Sequence, residues 1–308
     1  MYCIYHSIDL DGWCSAAIVK KWCKEKEIDL KLFGWNYGDE FPNIPENEKI
    51  VMVDVSFPIE IMEKYAKGSG WQFIWIDHHK SAIDDYKKFI GDGESFCINY
   101  LDNKFAACEL TWDYCFPKEP MPEFVRLLGR YDCFRHKGTN EEQKVLEFQY
   151  AARANISNVD ECYKWLEKSI KESFLTDRMI SSGKEIYKYL CTEAKQSYKN
   201  GFPIEFVELI ENNITTVRKF ICVNKERFNP INFGINYHKD GYDGAACFHY
   251  ANGTYNFSLY NDNGKADCSI IAKSLGGGGH KGAAGFRISA ENINKIIKNE
   301  RSSNNYIE

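Results

Sequence analysis

Apolar and polar positions in the first hundred residues fall into two alternating textures. The runs YCIYHS, DLKLFGWNY, KIVMVDVSF and WQFIWIDHH are apolar and of strand length. Between them lie helical patterns. DGWCSAAIVKKWCKEKE places Ala16, Ala17, Val19 and Trp22 on one side, and PIEIMEKYAKG opens on a proline and closes on a glycine. Strands separated by helices predict βαβ units and a doubly wound, mostly parallel sheet. From about residue 104 to 200 the pattern is helical, in NKFAACELTWDYCF, PEFVRLLGRYDCF, EEQKVLEFQYAARA and a long stretch from 158 to 199. After Gly201 the texture turns to short strands, PIEFVELI, KFICVN, INFGINYH and AACFHYANGTYNFSLY, with Asn252-Gly253 as a hairpin signal. A helix, DCSIIAKSL, then precedes GGGGHKGAAGF and a last helix that runs into the polar tail SSNNYIE. The expected architecture is α/β. An N-terminal domain with a helical connector spans 1–200, and a smaller α/β domain spans 201–308.

The ends of the strand-like runs carry the chemistry. His6 ends the first, with Asp9 and Asp11 in the turn after it. Asp54 follows KIVMV, and Asp77, His78 and His79 end the last. In a parallel sheet these ends share one edge, where ligands bind. Asp132, in GRYDCF, is a further candidate. Asp9, Asp11, Asp54 and Asp132 bring four negative charges, which repel one another unless cations neutralise them. Two divalent ions would do so. Mixed carboxylate and imidazole donors favour Mn²⁺ over Ca²⁺, with Mg²⁺ or Co²⁺ as alternatives.

Composition narrows the class. The chain has 308 residues with a net charge of −5 and a pI of about 5.9. That argues against a partner as basic-face-demanding as long duplex nucleic acid. No apolar run is long enough to span a bilayer, and the start lacks the pattern of a secretory leader, so a cytoplasmic location is expected. Twelve cysteines occur without any CxxC pair, which predicts buried thiols in a reduced protein. Arg130, Arg135, His136 and Lys137 flank Asp132, either as positive charge at a cleft mouth or as a solvated turn.

Taken together, HSIDLDG, VDVS, IDHHKS, GRYDCF and GGGGHKGAAGF resemble the ordered motifs of the DHH/DHHA1 phosphoesterase superfamily. That group includes single-strand exonucleases, nano-RNases, phosphatases of 3′-phosphoadenosine 5′-phosphate and cyclic-dinucleotide phosphodiesterases, with family II pyrophosphatases as more distant relatives. The resemblance implies that His6, Asp9 and Asp54 hold one metal. It implies that Asp11, Asp54, His78 and Asp132 hold the other, with Asp54 shared. His79 would face the substrate phosphate, and Asp77 would orient the histidines. Gly277, Gly278, Gly279, His280 and Lys281 would grip the substrate from the second domain, with Arg135 and Tyr260 as further contacts. Two features depart from the family pattern. The first-motif spacing is His-x-x-Asp-x-Asp, and FSLYND has Tyr260-Asn261 where many relatives carry Arg-Ser.

The implied activity is Mn²⁺-dependent hydrolysis of phosphodiester or phosphomonoester bonds in short nucleotides, by a hydroxide activated between two metals. The substrates would be short oligonucleotides, bisphosphates or cyclic dinucleotides. Polyphosphate or pyrophosphate hydrolysis is the enzymatic alternative, and a non-catalytic nucleotide sensor is the other. A homodimer is left open.

Overall fold

The computed structural model describes residues 1–210, 214–226 and 228–297. The chain divides into two compact units, Met1–Tyr187 and a second that begins at Lys188.

The first unit is built on a five-stranded parallel sheet: β1 (Tyr2–His6), β2 (Lys31–Trp35), β3 (Ile50–Val53), β4 (Phe73–Asp77) and β5 (Ile98–Leu101), in the order β2-β1-β3-β4-β5. Every residue of β3 is buried, as expected for a strand covered on both faces. On one face pack α1 (Leu10–Glu25), α4 (Ala107–Cys115), α5 (Glu123–Asp132), α6 (Glu142–Asn155) and α7 (Val159–Lys171). On the other pack α2 (Ile59–Gly68) and α3 (Lys80–Ile90), against Ile4, Met52 and Trp75. The sheet is thus doubly wound, as its sequence pattern predicts.

Register sets the site. Tyr5 pairs with Val53, and Val53 pairs with Ile76. The next residue on each strand is His6, Asp54 and Asp77, so these three lie in one row at the carboxyl edge. The chain then turns at once into α1. Asp9 caps it, its Oδ1 accepting from Gly12 N at 3.0 Å. A Cβ at Gly12 would lie 2.0 Å from the carbonyl oxygen of His6, so the first turn of α1 presses against the end of β1.

The helix α8 (Phe174–Lys199) contains the division between the units. The second unit carries β6 (Phe202–Leu209), β7 (Thr215–Asn224), β8 (Gly244–Ala251), β9 (Thr254–Tyr260), α9 (Cys268–Ser274), β10 (Gly278–His280) and β11 (Ala283–Ser289). Its strands run in the order β10-β11-β9-β8-β7-β6 among the described residues, with only β7 and β8 parallel. Asn252 and Gly253 both take positive φ, 51° and 79°, the conformation of a type I′ hairpin turn. Phe206, Phe220, Phe257 and Phe286 fill the core beneath α9.

One expected strand is absent. INFGINYH forms two 3₁₀ turns, Pro230–Phe233 and Tyr237–Asp240. Pro230 cannot donate to a ladder. The side chains of Asn229 and Asn236 cap the two turns, and Gly234 and Gly241 end them at positive φ. The last expected helix is a 3₁₀ segment, Ala290–Lys295, and the tail SSNNYIE lies outside the described residues. Every cysteine is free, and all but Cys133 and Cys191 are buried.

Candidate metal centre

Six side chains meet above the row His6–Asp54–Asp77. His6 Nδ1 lies 2.9 Å from Asp9 Oδ2 and 3.6 Å from Asp54 Oδ2. On the other side of Asp54, His78 Nε2 lies 3.2 Å from Asp54 Oδ1, 3.5 Å from Asp11 Oδ2 and 3.4 Å from Asp132 Oδ2. Asp54 therefore turns one oxygen toward His6 and Asp9 and the other toward His78, Asp11 and Asp132. Its backbone sits at φ 59°, in the left-handed region, with its N–H donating to Ile76 O at 3.0 Å. Such a conformation is a local strain, mildest for Asp and Asn.

The buried polar atoms here lack conventional partners. Both oxygens of Asp54 and both ring nitrogens of His6 are buried without meeting hydrogen-bond geometry. Leaving a buried carboxylate in that state costs several kcal/mol, and orphaned polar atoms of this kind call for a partner. Charge tells the same story. Burial lowers the His6 pKa, but Asp54 and Asp9 outweigh it and push it up to about 10. His78 is likewise raised, burial being overcome by Asp54, Cys133, Asp132 and Asp11. Asp132 is pushed up to about 6, first by burial and then by Asp54 and Asp9 against the pull of His78. Burial and the charges of Asp54 and Asp132 raise Asp11. The cluster draws positive charge toward it. Carboxylate and imidazole donors on both sides of one shared carboxylate fit two divalent cations.

The sequence pattern of the DHH family, N-terminal domain, matches residues 1–128. Residues 1–128 are a DHH-family domain. An uncharacterised protein of Acanthamoeba polyphaga mimivirus is 24% identical over 301 residues, covering 93% of this chain and 67% of that protein. Among solved structures, the pGpG-specific phosphodiesterase PggH of Vibrio cholerae is similar, with a TM-score of 0.49 and 12% identity over 96% of this chain and 95% of that one. An exopolyphosphatase-related protein of Bacteroides fragilis aligns with a TM-score of 0.48 and 14% identity, over 96% and 88% of the two chains. RecJ of Thermus thermophilus in complex with Mn²⁺ aligns with a TM-score of 0.44 and 12% identity, over 96% of this chain and 50% of RecJ.

In the DHH-family domain, Asp77 organises the turn that carries the two histidines. It is fully buried, and its Oδ1 accepts from His78 N at 2.7 Å and His79 N at 3.2 Å. The same oxygen lies 2.7 Å from His79 Nδ1, which sets the tautomer with the proton on Nδ1. Burial lowers the His79 pKa, but Asp77 and Asp54 outweigh it and raise it, favouring the protonated ring. His79 can then donate to an anion.

Asp11 has a second task that its sequence position does not show. It is 4% exposed, and its carboxylate accepts from Ala107 N at 3.0 Å and Cys108 N at 2.8 Å, the first amides of α4. Ala106, which precedes that helix, has no polar side chain. Asp11 caps α4 from α1, while Glu109 accepts from Ala106 N at 3.1 Å.

Cys133 also stands at this cluster. Its Sγ is 3.5 Å from His78 Nδ1, on the ring edge opposite the carboxylates. With the sulfur accepting from Nδ1–H, the Nε2 lone pair is left to face the cluster. Cys133→Ala is expected to raise the Mn²⁺ concentration giving half-maximal activity about 10-fold, and Cys133→Thr to restore most of it. Titrating activity against Mn²⁺ checks this, and an unchanged midpoint would remove Cys133 from the support of His78.

The other expected contacts are placed as follows. Arg135 pairs with the buried Glu109 and covers the Phe105 ring at 4.7 Å. Arg130 donates to Arg135 O at 3.0 Å and lies 3.4 Å from Glu141. His136 is buried and its pKa is lowered, chiefly by burial, so it supplies no cation at a cleft mouth. In the second unit, Gly278 and Gly279 begin the edge strand β10, which His280 closes, and Lys281 lies in its turn. A Cβ at Gly277 would lie 2.0 Å from Gly285 O, so close strand packing already requires a glycine there. Tyr260 ends β9, pairing with Ala245 and Ala283. Sequence reasoning passed over Tyr37. Its ring meets His6 edge-on at 6.1 Å and is 55% exposed.

Proposed function

We propose that the chain is a phosphoesterase that uses two divalent metal ions to hydrolyse phosphoester bonds of short nucleotides. The observation that carries this is Asp54, a buried carboxylate with each oxygen turned toward a separate group of His and Asp donors. His6, Asp9 and Asp54 would hold one ion, and Asp54, Asp11, His78 and Asp132 the other. Mn²⁺ suits these donors, and Mg²⁺ or Co²⁺ would serve. When bound, the ions supply Lewis acidity and lower the pKa of water at the centre.

The remaining work falls to the chain. Asp77 fixes His79 through Nδ1, and the raised pKa favours the protonated ring that can donate to a phosphoryl oxygen as negative charge grows there. The exposed ring of Tyr37 beside His6 offers a surface on which a nucleobase can stack. That favours a nucleotide over polyphosphate or pyrophosphate. In this reading the glycine strand and His280 of the second unit also bind substrate.

A panel tests the reading: a 5′-phosphorylated dinucleotide, adenosine 3′,5′-bisphosphate, a cyclic dinucleotide and polyphosphate, each with Mn²⁺ and with EDTA. Turnover of at least one nucleotide, lost on chelation, is expected. Free Mn²⁺ at about a hundred times Kd adds roughly 2.7 kcal/mol of stability per site, so the melting temperature rises with metal. Turnover that survives EDTA would reject the metal assignment, and nucleotide binding without turnover would favour a sensor.

A further inference from the structure

Arg153 is exposed on α6. Its guanidinium stands 5.3 Å from the centre of the Tyr131 ring and 5.8 Å from that of Tyr150. Tyr131 precedes Asp132 in α5 and is stacked on His136, ring to ring, at 5.4 Å and 8°. The platform under the arginine is therefore fixed. Among the described residues no carboxylate or carbonyl is paired with this guanidinium. Desolvation lowers its pKa, but Tyr131, Tyr150, Asp9 and Asp132 outweigh that and raise it. Asp9 and Asp132 both belong to the metal cluster.

This arrangement is costly for a structural arginine. Its two nearby carboxylates are turned toward His6 and His78. Once two divalent ions neutralise Asp9, Asp11, Asp54 and Asp132, no net negative charge remains there to balance the guanidinium. A guanidinium held by cation–π attraction keeps its N–H groups for other partners, and their planar fork suits bidentate binding of phosphate. The scissile phosphate already has the metals and His79.

We infer that Arg153 binds a second phosphate of the substrate, next to the one that is cleaved, so that the preferred substrate carries two phosphates. This rests on the reading of the centre as a phosphoesterase, and binding can test it apart from turnover. The full chain with Mn²⁺ is titrated calorimetrically with adenosine 3′,5′-bisphosphate and with adenosine 5′-monophosphate, as wild type, Arg153→Ala and Arg153→Met. Both variants should bind the bisphosphate at least 10-fold more weakly and the monophosphate within 3-fold of wild type. Their affinity for Mn²⁺ and their melting temperatures should be unchanged. Equal weakening toward both nucleotides, no weakening, or a wild type that binds neither would overturn the assignment. A wild type that binds the bisphosphate through Arg153 but hydrolyses nothing would reject the phosphoesterase reading and leave the arginine's role standing.

Discussion

Asp54→Asn is expected to lower metal-dependent turnover by at least about a thousandfold while the fold survives. The carboxylate is 1% exposed and faces both halves of the donor set, so its loss disables both at once. Asparagine is the informative replacement. The residue sits at φ 59°, which asparagine tolerates, whereas alanine would add strain of about 1–2 kcal/mol and blur the result. Two readouts should move together. Turnover should vanish, and the rise of the melting temperature with Mn²⁺ should shrink to that of a chain without a high-affinity site. Far-UV circular dichroism should not change. Wild-type turnover in this variant would end the two-metal assignment.

The second large effect is on stability. Asp11→Ala would strip the acceptor from two buried amides at the start of α4, Ala107 N and Cys108 N. Each orphaned donor costs about 1–3 kcal/mol. A total near 3–5 kcal/mol corresponds, for a domain of this size, to a fall in melting temperature on the order of 10 °C, measured in EDTA. Asp11→Asn retains one acceptor and should fall between wild type and Asp11→Ala. Asp9→Asn is the control, since it keeps a good cap on Gly12 N and gives up only the ion pair with His6, so it should cost less than Asp11→Ala. Equal melting temperatures for the Asp9 and Asp11 variants would show that Asp11 does not anchor α4.

The parts of the centre that were legible in the sequence are those carried by strand ends. Apolar runs closing on His6, Asp54 and Asp77 point to one edge because parallel strands in register must bring their ends level, as the pairs Tyr5–Val53 and Val53–Ile76 do. Asp132 lies at the end of a helix, and its closeness to His78 depends on how α5 packs, which periodicity does not encode. The double duty of Asp11 was hidden for a related reason: its hydrogen-bond partners are 96 and 97 residues away. Arg153 reads in sequence as one more charge on a helix, and only the rings of Tyr131 and Tyr150 set it apart. INFGINYH misleads because its apolar residues alternate as in a strand, while Pro230 and the two capping asparagines favour local turns instead.

The contact between Gly12 and the end of β1 has a consequence for what counts as this site. The thickness of bare backbone works there as a gauge, fixing how far His6 stands from the helix that bears Asp11. A chain that kept every acid and histidine but carried any side chain at position 12 would hold the right donors at the wrong spacing. The smallest residue in the motif, which brings no side chain, is as much a part of its specification as the ligands.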